Sequence, residues 1–116
     1  MAVKLTSRQQ AQKAFLDTVP PKLARIYAVV EAMAALQADD VTVRGLGRLL
    51  DELKAHAQGL GLVGLAETCG LMGTMSRRGG GLQMKVRGLR ELQGSLKINY
   101  EAAVKQATTA EAGPEV

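Results

Sequence analysis

The sequence predicts an all-α protein folded as an antiparallel up-and-down four-helix bundle with a short extra N-terminal helix. Alanine and leucine, which favour helices, are abundant, and no window is rich in β-branched residues. Apolar residues recur at helical spacing in five stretches, of which the first is short. The connections between the four long stretches are short, as in bundles whose consecutive helices run antiparallel. With 116 residues, the chain has the length of one domain.

A pair of prolines separates the first two predicted helices. We expect Ser7 to cap the first helix, whose inward residues are Ala11, Phe15 and Leu16. Pro20 disfavours the α conformation at Val19, so the chain should break there. The second helix should then open at Pro21 or Lys22, because proline is tolerated in a first turn. Its inward stripe is Leu23, Ile26, Tyr27, Val30 and Met33.

The third and fourth helices are predicted on either side of a glycine-containing turn. Asp40 is the expected N-cap of the third helix, which should end at Gly59. Its predicted buried residues are Val43, Leu46, Leu49, Leu50, Leu53, Ala57 and Leu60. The fourth helix should run from Val63 to about Ser76, with an inward stripe of Leu65, Cys69 and Met72.

A glycine-rich connection, residues 77–81, leads to the fifth helix. Its predicted inward residues are Leu82, Val86, Leu89, Leu92, Leu96, Tyr100 and Ala103. We therefore assign residues 1–110 to the bundle and residues 111–116, which include Gly113-Pro114, to a flexible tail.

Composition narrows the classes of function. The single cysteine, Cys69, cannot form an internal disulfide, which suits a reducing compartment. The N-terminus has no signal-peptide core, and no apolar run approaches the roughly 20 residues needed to span a bilayer. The net charge is +4, but no exposed aromatics are interleaved with the basic residues, and no helix-turn-helix or zinc-ligand pattern is present. We expect a cytoplasmic monomer without cofactor, metal, membrane or nucleic-acid ligand.

Two segments carry a family resemblance. Residues 51–61 read DELKAHAQGLG, and residues 65–72 read LAETCGLM. They resemble the signature of histidine-containing phosphotransfer (HPt) domains, in which His-x-Leu-Lys-Gly, a small residue, Ala and Leu-Gly precede Leu-Ala-x-x-Cys-x-x-Leu-Glu. The residues that fall into register without a gap are Leu53, Lys54, Ala57, Leu60, Gly61, Leu65, Ala66, Cys69 and Met72.

Two departures from the HPt pattern matter for function. Asp51 aligns with the histidine that, in the family, accepts a phosphoryl group and passes it to a receiver-domain aspartate. Ala55 aligns with a glycine that lets the receiver approach closely, whereas Lys54 matches the lysine that helps to balance phosphate charge. A carboxylate is a poor replacement for imidazole, and no neighbour in the sequence is suited to activate it. The resemblance therefore implies a pseudo-HPt domain without catalytic residues.

The exposed side of the third helix is the predicted partner-binding site. We name it the docking strip, and its residues are Arg44, Gly47, Arg48, Asp51, Lys54, Ala55 and Gln58. Two readings apply to it. It is either a solvated face on which Asp51 pairs with Arg48 or Lys54, or the surface that docks a receiver domain or a receiver-containing protein. The resemblance favours docking, with the chain acting as adaptor, scaffold or inhibitor in bacterial two-component signalling.

Two alternatives stand beside this reading. His56 lies about 140° around the third helix from Asp51, at the margin of the buried stripe. We expect a half-buried structural histidine there, and the alternative is a working phosphotransfer protein that uses His56. The second alternative is a helical interaction module outside phosphorelay. A further group of cations, here named the basic cluster, is expected to be solvated: Arg77, Arg78, Lys85, Arg87 and Arg90.

Overall fold

A computed structural model describes residues 5–109 of the chain, and the predicted tail at 111–116 lies outside these residues. The elements in order are α1 (Ser7–Leu16), α2 (Val19–Ala34), α3 (Asp40–Gly59), α4 (Val63–Arg77) and α5 (Leu82–Thr108). No strand occurs between residues 5 and 109, so the all-α prediction is confirmed for that part of the chain. The longest helix, α5, has 27 residues and spans about 40 Å.

Helices α2 to α5 pack together around one apolar core. α3 packs against α2 and α4, α5 packs against the same two helices, and α1 lies against α5 and α2. The interior holds residues from every helix, including Leu16, Ile26, Leu53, Met72 and Leu96. None of the helices described is long and apolar enough to cross a membrane.

The starts of the first three helices differ from the predicted ones. α1 is capped by Thr6 rather than Ser7, because Thr6 forms a reciprocal pair of hydrogen bonds with Gln9, each 3.0 Å long. α2 begins at Val19 instead of Pro21 or Lys22, and the complete burial of the Val19 side chain accompanies this earlier start. Asp39, not Asp40, caps α3, since its Oδ1 accepts a 2.8 Å hydrogen bond from the backbone N–H of Thr42.

The inward faces of α3 and α4 largely match the predicted ones. Leu46, Leu50, Leu53 and Ala57 are buried on α3, and Val43, Leu49 and Leu60 are partly buried against the core. Leu65, Cys69 and Met72 are buried on α4. α3 ends at Gly59 as predicted, and α4 extends to Arg77, one residue beyond the predicted end.

Two residues predicted to face inward are exposed, Ala11 on α1 and Leu82 at the start of α5. On α1, Gln9 and Gln12 are buried instead. The Nε2 of Gln9 donates to the backbone oxygens of Gln106 and Thr109, and the Nε2 of Gln12 donates to that of Leu60. Apolar periodicity predicted that Ala11 would face the core. Instead, Gln9 and Gln12 are buried, and their hydrogen bonds to carbonyl oxygens hold α1 in place.

Candidate functional site

Six residues of the docking strip are exposed as predicted, namely Arg44, Arg48, Asp51, Lys54, Ala55 and Gln58. The prediction for Gly47 is wrong, because this residue is buried beneath α4. A Cβ atom at Gly47 would lie 3.1 Å from Nη2 of Arg77 and 3.5 Å from Oγ of Ser76. The side chain of Arg77 therefore covers the docking strip at Gly47. Arg44 and Arg48 lie to one side of this covered position.

Asp51 forms an ion pair with Arg77 of α4, rather than with Arg48 or Lys54 of its own helix. The Nη2 atom of Arg77 donates to Oδ2 of Asp51, and its Nη1 donates to the backbone oxygen of Gly73 at 3.3 Å. The side chains of Arg77 and Asp51 are 52% and 55% exposed. The carboxylate of Asp51 is thus accessible to solvent but already holds a cation.

Side chains of α3 lie close to two glycines of α4. A Cβ atom at Gly70 would lie 3.3 Å from Cδ of Lys54. At Gly73 it would lie 3.4 Å from Oδ1 of Asp51 and 3.4 Å from Nη1 of Arg77. The alkyl chain of Lys54 therefore runs over Gly70, and the ion pair sits over Gly73. These contacts hold the carboxylate and two cations along the line where α3 and α4 meet.

A concave surface adjoins the docking strip on the side of α2. It has a volume of about 230 Å³ and is lined by Arg25, Val29, Val41, Leu49 and Arg48, among others. Val41 is 63% exposed. A partner that contacts Arg48 therefore meets apolar atoms and a further cation, Arg25, beside the strip.

His56 is exposed, so the predicted half-buried position is wrong. It lies in the last turn of α3, and its ring centroid is 5.7 Å from that of Phe15 in a tilted arrangement. Ala57, the next residue, takes the completely buried position at this level of the helix. The Phe15 ring thus lies beside the imidazole, and the His56 side chain remains exposed.

Cys69 lies in the core, as predicted from its place on the inward stripe of the fourth helix. Burial raises the pKa of its thiol to about 11, so the reactive thiolate is scarce at neutral pH.

Among residues 5–109, no group of three or more histidine, cysteine and acidic side chains is arranged to hold a metal ion. The polar groups that converge at the α3–α4 line are a carboxylate, a guanidinium and an ammonium, which suit electrostatic recognition of a partner.

The residues that sequence reasoning missed all lie on α4. The sequence analysis places Arg77 in the solvated basic cluster and predicts no role for Gly70 or Gly73. The available signal was the spacing of Gly70, Gly73 and Arg77, which places them near one face of the fourth helix. Comparisons of the chain with protein-family models, with curated proteins and with solved structures found no match.

Proposed function

We propose that this chain is a non-catalytic, HPt-like binding module of bacterial two-component signalling. It docks a receiver domain, or a protein that contains one, through the exposed residues of the docking strip, and acts as adaptor, scaffold or inhibitor. The observation that carries this proposal is the exposed carboxylate of Asp51, which stands at the phosphoacceptor position of the HPt-like segment and is ion-paired with Arg77. By the same resemblance, the module acts as a monomer in the cytoplasm.

The fold proposed for this module is an antiparallel up-and-down bundle of α2 to α5, with α1 as an extra helix at one end. Each consecutive pair of helices from α2 to α5 is in contact, and the connections are short. Gln12 of α1 bonds to Leu60 just after α3, while Gln9 bonds to Gln106 and Thr109 at the end of α5. The C-terminal ends of α3 and α5 therefore meet the same short helix, as expected when both run in the same direction.

Transfer chemistry is not part of the proposal, because Asp51 is poorly placed to act as a nucleophile. A carboxylate that accepts a phosphoryl group needs a group that assists the attack or holds a metal ion. Arg77 occupies one of its oxygens, and the other lies over Gly73. The pair is better suited to present a fixed pattern of charge to a partner.

Recognition relies on cations that flank a small residue. Arg44, Arg48 and Lys54 are exposed on α3, and Ala55 presents only a methyl group. The methyl group allows close approach by a partner's backbone, while the cations complement the acidic pocket expected of a receiver. Charges at the rim of an interface mainly raise the association rate and make it sensitive to salt.

The test is a calorimetric titration of the chain against a panel of purified receiver domains. The double change Arg48→Glu and Lys54→Glu should weaken binding about tenfold or more, because it reverses two rim charges. Both side chains are exposed, so circular dichroism and the melting temperature should stay unchanged. The matched control is Lys97→Glu with Lys105→Glu, which alters the net charge equally through exposed residues of α5.

Two outcomes would contradict the proposal. Equal weakening by both double variants would show that only the overall charge matters and that the docking strip is not the contact surface. No binding to any receiver would favour the alternative of a helical interaction module outside phosphorelay.

A further inference from the structure

The α2–α5 groove is an open, apolar concavity formed by the C-terminal end of α2 and the N-terminal end of α5. Its volume is about 730 Å³, and its apolar lining includes Met33, Leu36, Leu82 and Met84. Leu36 and Met84 are each 77% exposed, and Leu82 is 38% exposed. Large apolar side chains clustered at one site, instead of scattered singly, mark a binding surface.

Leu36 is held in a backbone conformation that favours glycine. Its φ is +60°, and it occupies the position after the C-cap of α2. The N–H of Gln37 donates to the oxygen of Ala32, and the N–H of Leu36 donates to that of Met33, which together form a Schellman motif. Glycine usually takes this position because a Cβ atom is disfavoured there. A leucine that is both disfavoured by its backbone and exposed to solvent gives the isolated fold no evident benefit.

The excess positive charge of the chain is concentrated beside this groove. Residues 78–91 hold four basic residues and one acidic residue, whereas the rest of the chain holds eleven basic and ten acidic residues. Arg87 and Arg90 line the groove. Met84 also lines an adjoining concavity that includes Arg78 and Lys85, so these two cations stand next to the groove.

Most of these cations are available to a partner. Arg90 forms two hydrogen bonds with Glu31, which lower the pKa of that carboxyl and keep the pair ionised at neutral pH. Within residues 5–109, Arg78, Lys85 and Arg87 form no ion pair. Glu91 also lines the groove, so the cations Arg78, Lys85, Arg87 and Arg90 stand against two carboxylates, Glu31 and Glu91, and the charge beside the apolar floor is positive on balance.

We propose that the α2–α5 groove binds an acidic amphipathic helix of a partner protein. Apolar residues of that helix, at i, i+3, i+4 and i+7, would contact Leu36, Leu82 and Met84, and its acidic residues would meet the basic edge. The unbranched side chain of Met84 adapts to the shape of such a ligand. This surface is separate from the docking strip, and its occupant does not depend on receiver binding.

Other occupants fit the groove less well. A second copy of the chain would bring two basic edges together, which opposes association. Nucleic acid would gain nothing from the apolar floor, and the aromatic residues Phe15, Tyr27 and Tyr100 are partly buried instead of placed here for base stacking.

The experiment uses a fluorescein-labelled synthetic helix of about 15 residues, stapled to keep it helical. Leucines occupy one face, and glutamates occupy the other positions. Fluorescence anisotropy measures its binding to the full chain at low and high salt. A peptide of the same composition in scrambled order, anionic phospholipid vesicles and duplex DNA are titrated in parallel, and sedimentation reports self-association.

We expect the amphipathic peptide to bind, with an affinity that falls as salt rises. Leu36→Gly should weaken binding about tenfold or more, because it removes an apolar contact. The melting temperature should stay the same or rise, because glycine adopts a positive φ without strain. Arg87→Glu should weaken binding as well. Ile98→Gln is the matched control, since Ile98 is 67% exposed on α5 but does not line the groove. It should leave the affinity unchanged.

The proposal is overturned if the peptide does not bind, if the scrambled peptide binds equally, or if Leu36→Gly has no effect on affinity. It is also overturned if vesicles, DNA or a second copy of the chain bind at this surface while the peptide does not. Because the docking strip is tested with other variants and other ligands, failure of either proposal leaves the other standing.

Discussion

Asp51 and Arg77 lie 26 residues apart in the sequence, and their side chains form an ion pair between α3 and α4. The pair lies over Gly73, where an added Cβ atom would be 3.4 Å from both charged groups, an ordinary van der Waals distance. Both side chains remain about half exposed, so water competes for each charge. The pair is consequently better understood as fixing the position of the carboxylate than as stabilising the fold.

A double-mutant cycle with Asp51→Asn and Arg77→Met should show whether the ion pair mainly positions the carboxylate or stabilises the fold. We expect a coupling energy below about 1 kcal/mol, the usual range for exposed ion pairs. Urea denaturation of the wild type, both single variants and the double variant gives the value. A coupling of several kcal/mol would show instead that the pair is a major support of the α3–α4 contact.

At the scale of the element, α1 shows how a short helix can be held by polar side chains. An isolated helix of its ten residues would be marginal in water. Gln9 and Gln12 are buried, and they donate to carbonyl oxygens at the C-terminal ends of α5 and α3. Such carbonyls lack partners within their own helices. α1 thus satisfies backbone groups that two other helices leave open.

Replacing Gln9 with alanine should therefore destabilise the protein by about 1–3 kcal/mol, the range for leaving buried polar groups unsatisfied. Urea denaturation measures this loss, and hydrogen exchange should show faster exchange of the α1 amides. Gln10→Ala is the control, because Gln10 has the same chemistry on the exposed side of α1 and should cost less than about 0.5 kcal/mol. Equal losses for the two variants would mean that the buried hydrogen bonds of Gln9 are not what holds α1.

At the scale of the whole molecule, apolar periodicity predicted the five helices and most of the core. It succeeded for residues such as Leu53 and Leu96, because a large apolar side chain on the inward face is buried whichever helix it meets. It failed where burial depends on a particular neighbour. Gly47 shares a face with Asp51, but Arg77 and Ser76 of α4 cover it.

The dependence of burial on a particular neighbour also explains why the predictions for His56 and Leu82 were wrong. Periodicity predicts His56 at the margin of the core, but the residue is exposed beside the Phe15 ring. Leu82 has the phase of the inward stripe of α5, yet it lies where the helix begins and the groove is open. Periodicity gives the direction of a side chain from its own helix axis, and the extent of the neighbouring helices decides whether anything covers it.

Restoring the family's residues offers a gain-of-function test of the proposed alignment. Asp51→His combined with Ala55→Gly would return an imidazole and a close approach to the segment that already carries Lys54. We expect this double variant to accept a phosphoryl group from a phosphorylated receiver that the wild type binds, and Asp51→His alone to accept it more slowly. Failure of both, with binding intact, would mean that the HPt-like segment is not aligned as the resemblance implies.

The wild-type chain should take no phosphoryl group in the same assay. Asp51 lacks an activating neighbour, and its carboxylate is engaged by Arg77, while His56 lies on another face of α3 and contacts Phe15. A radiolabelled receiver supplies the phosphoryl group, and the adduct is identified by its stability, since phosphohistidine is lost in acid and persists in base. A base-stable label on the wild type that His56→Ala abolishes would establish the phosphotransfer alternative. In that case the exposure of His56 would be the functional feature of α3, and Asp51 would serve only to position Arg77.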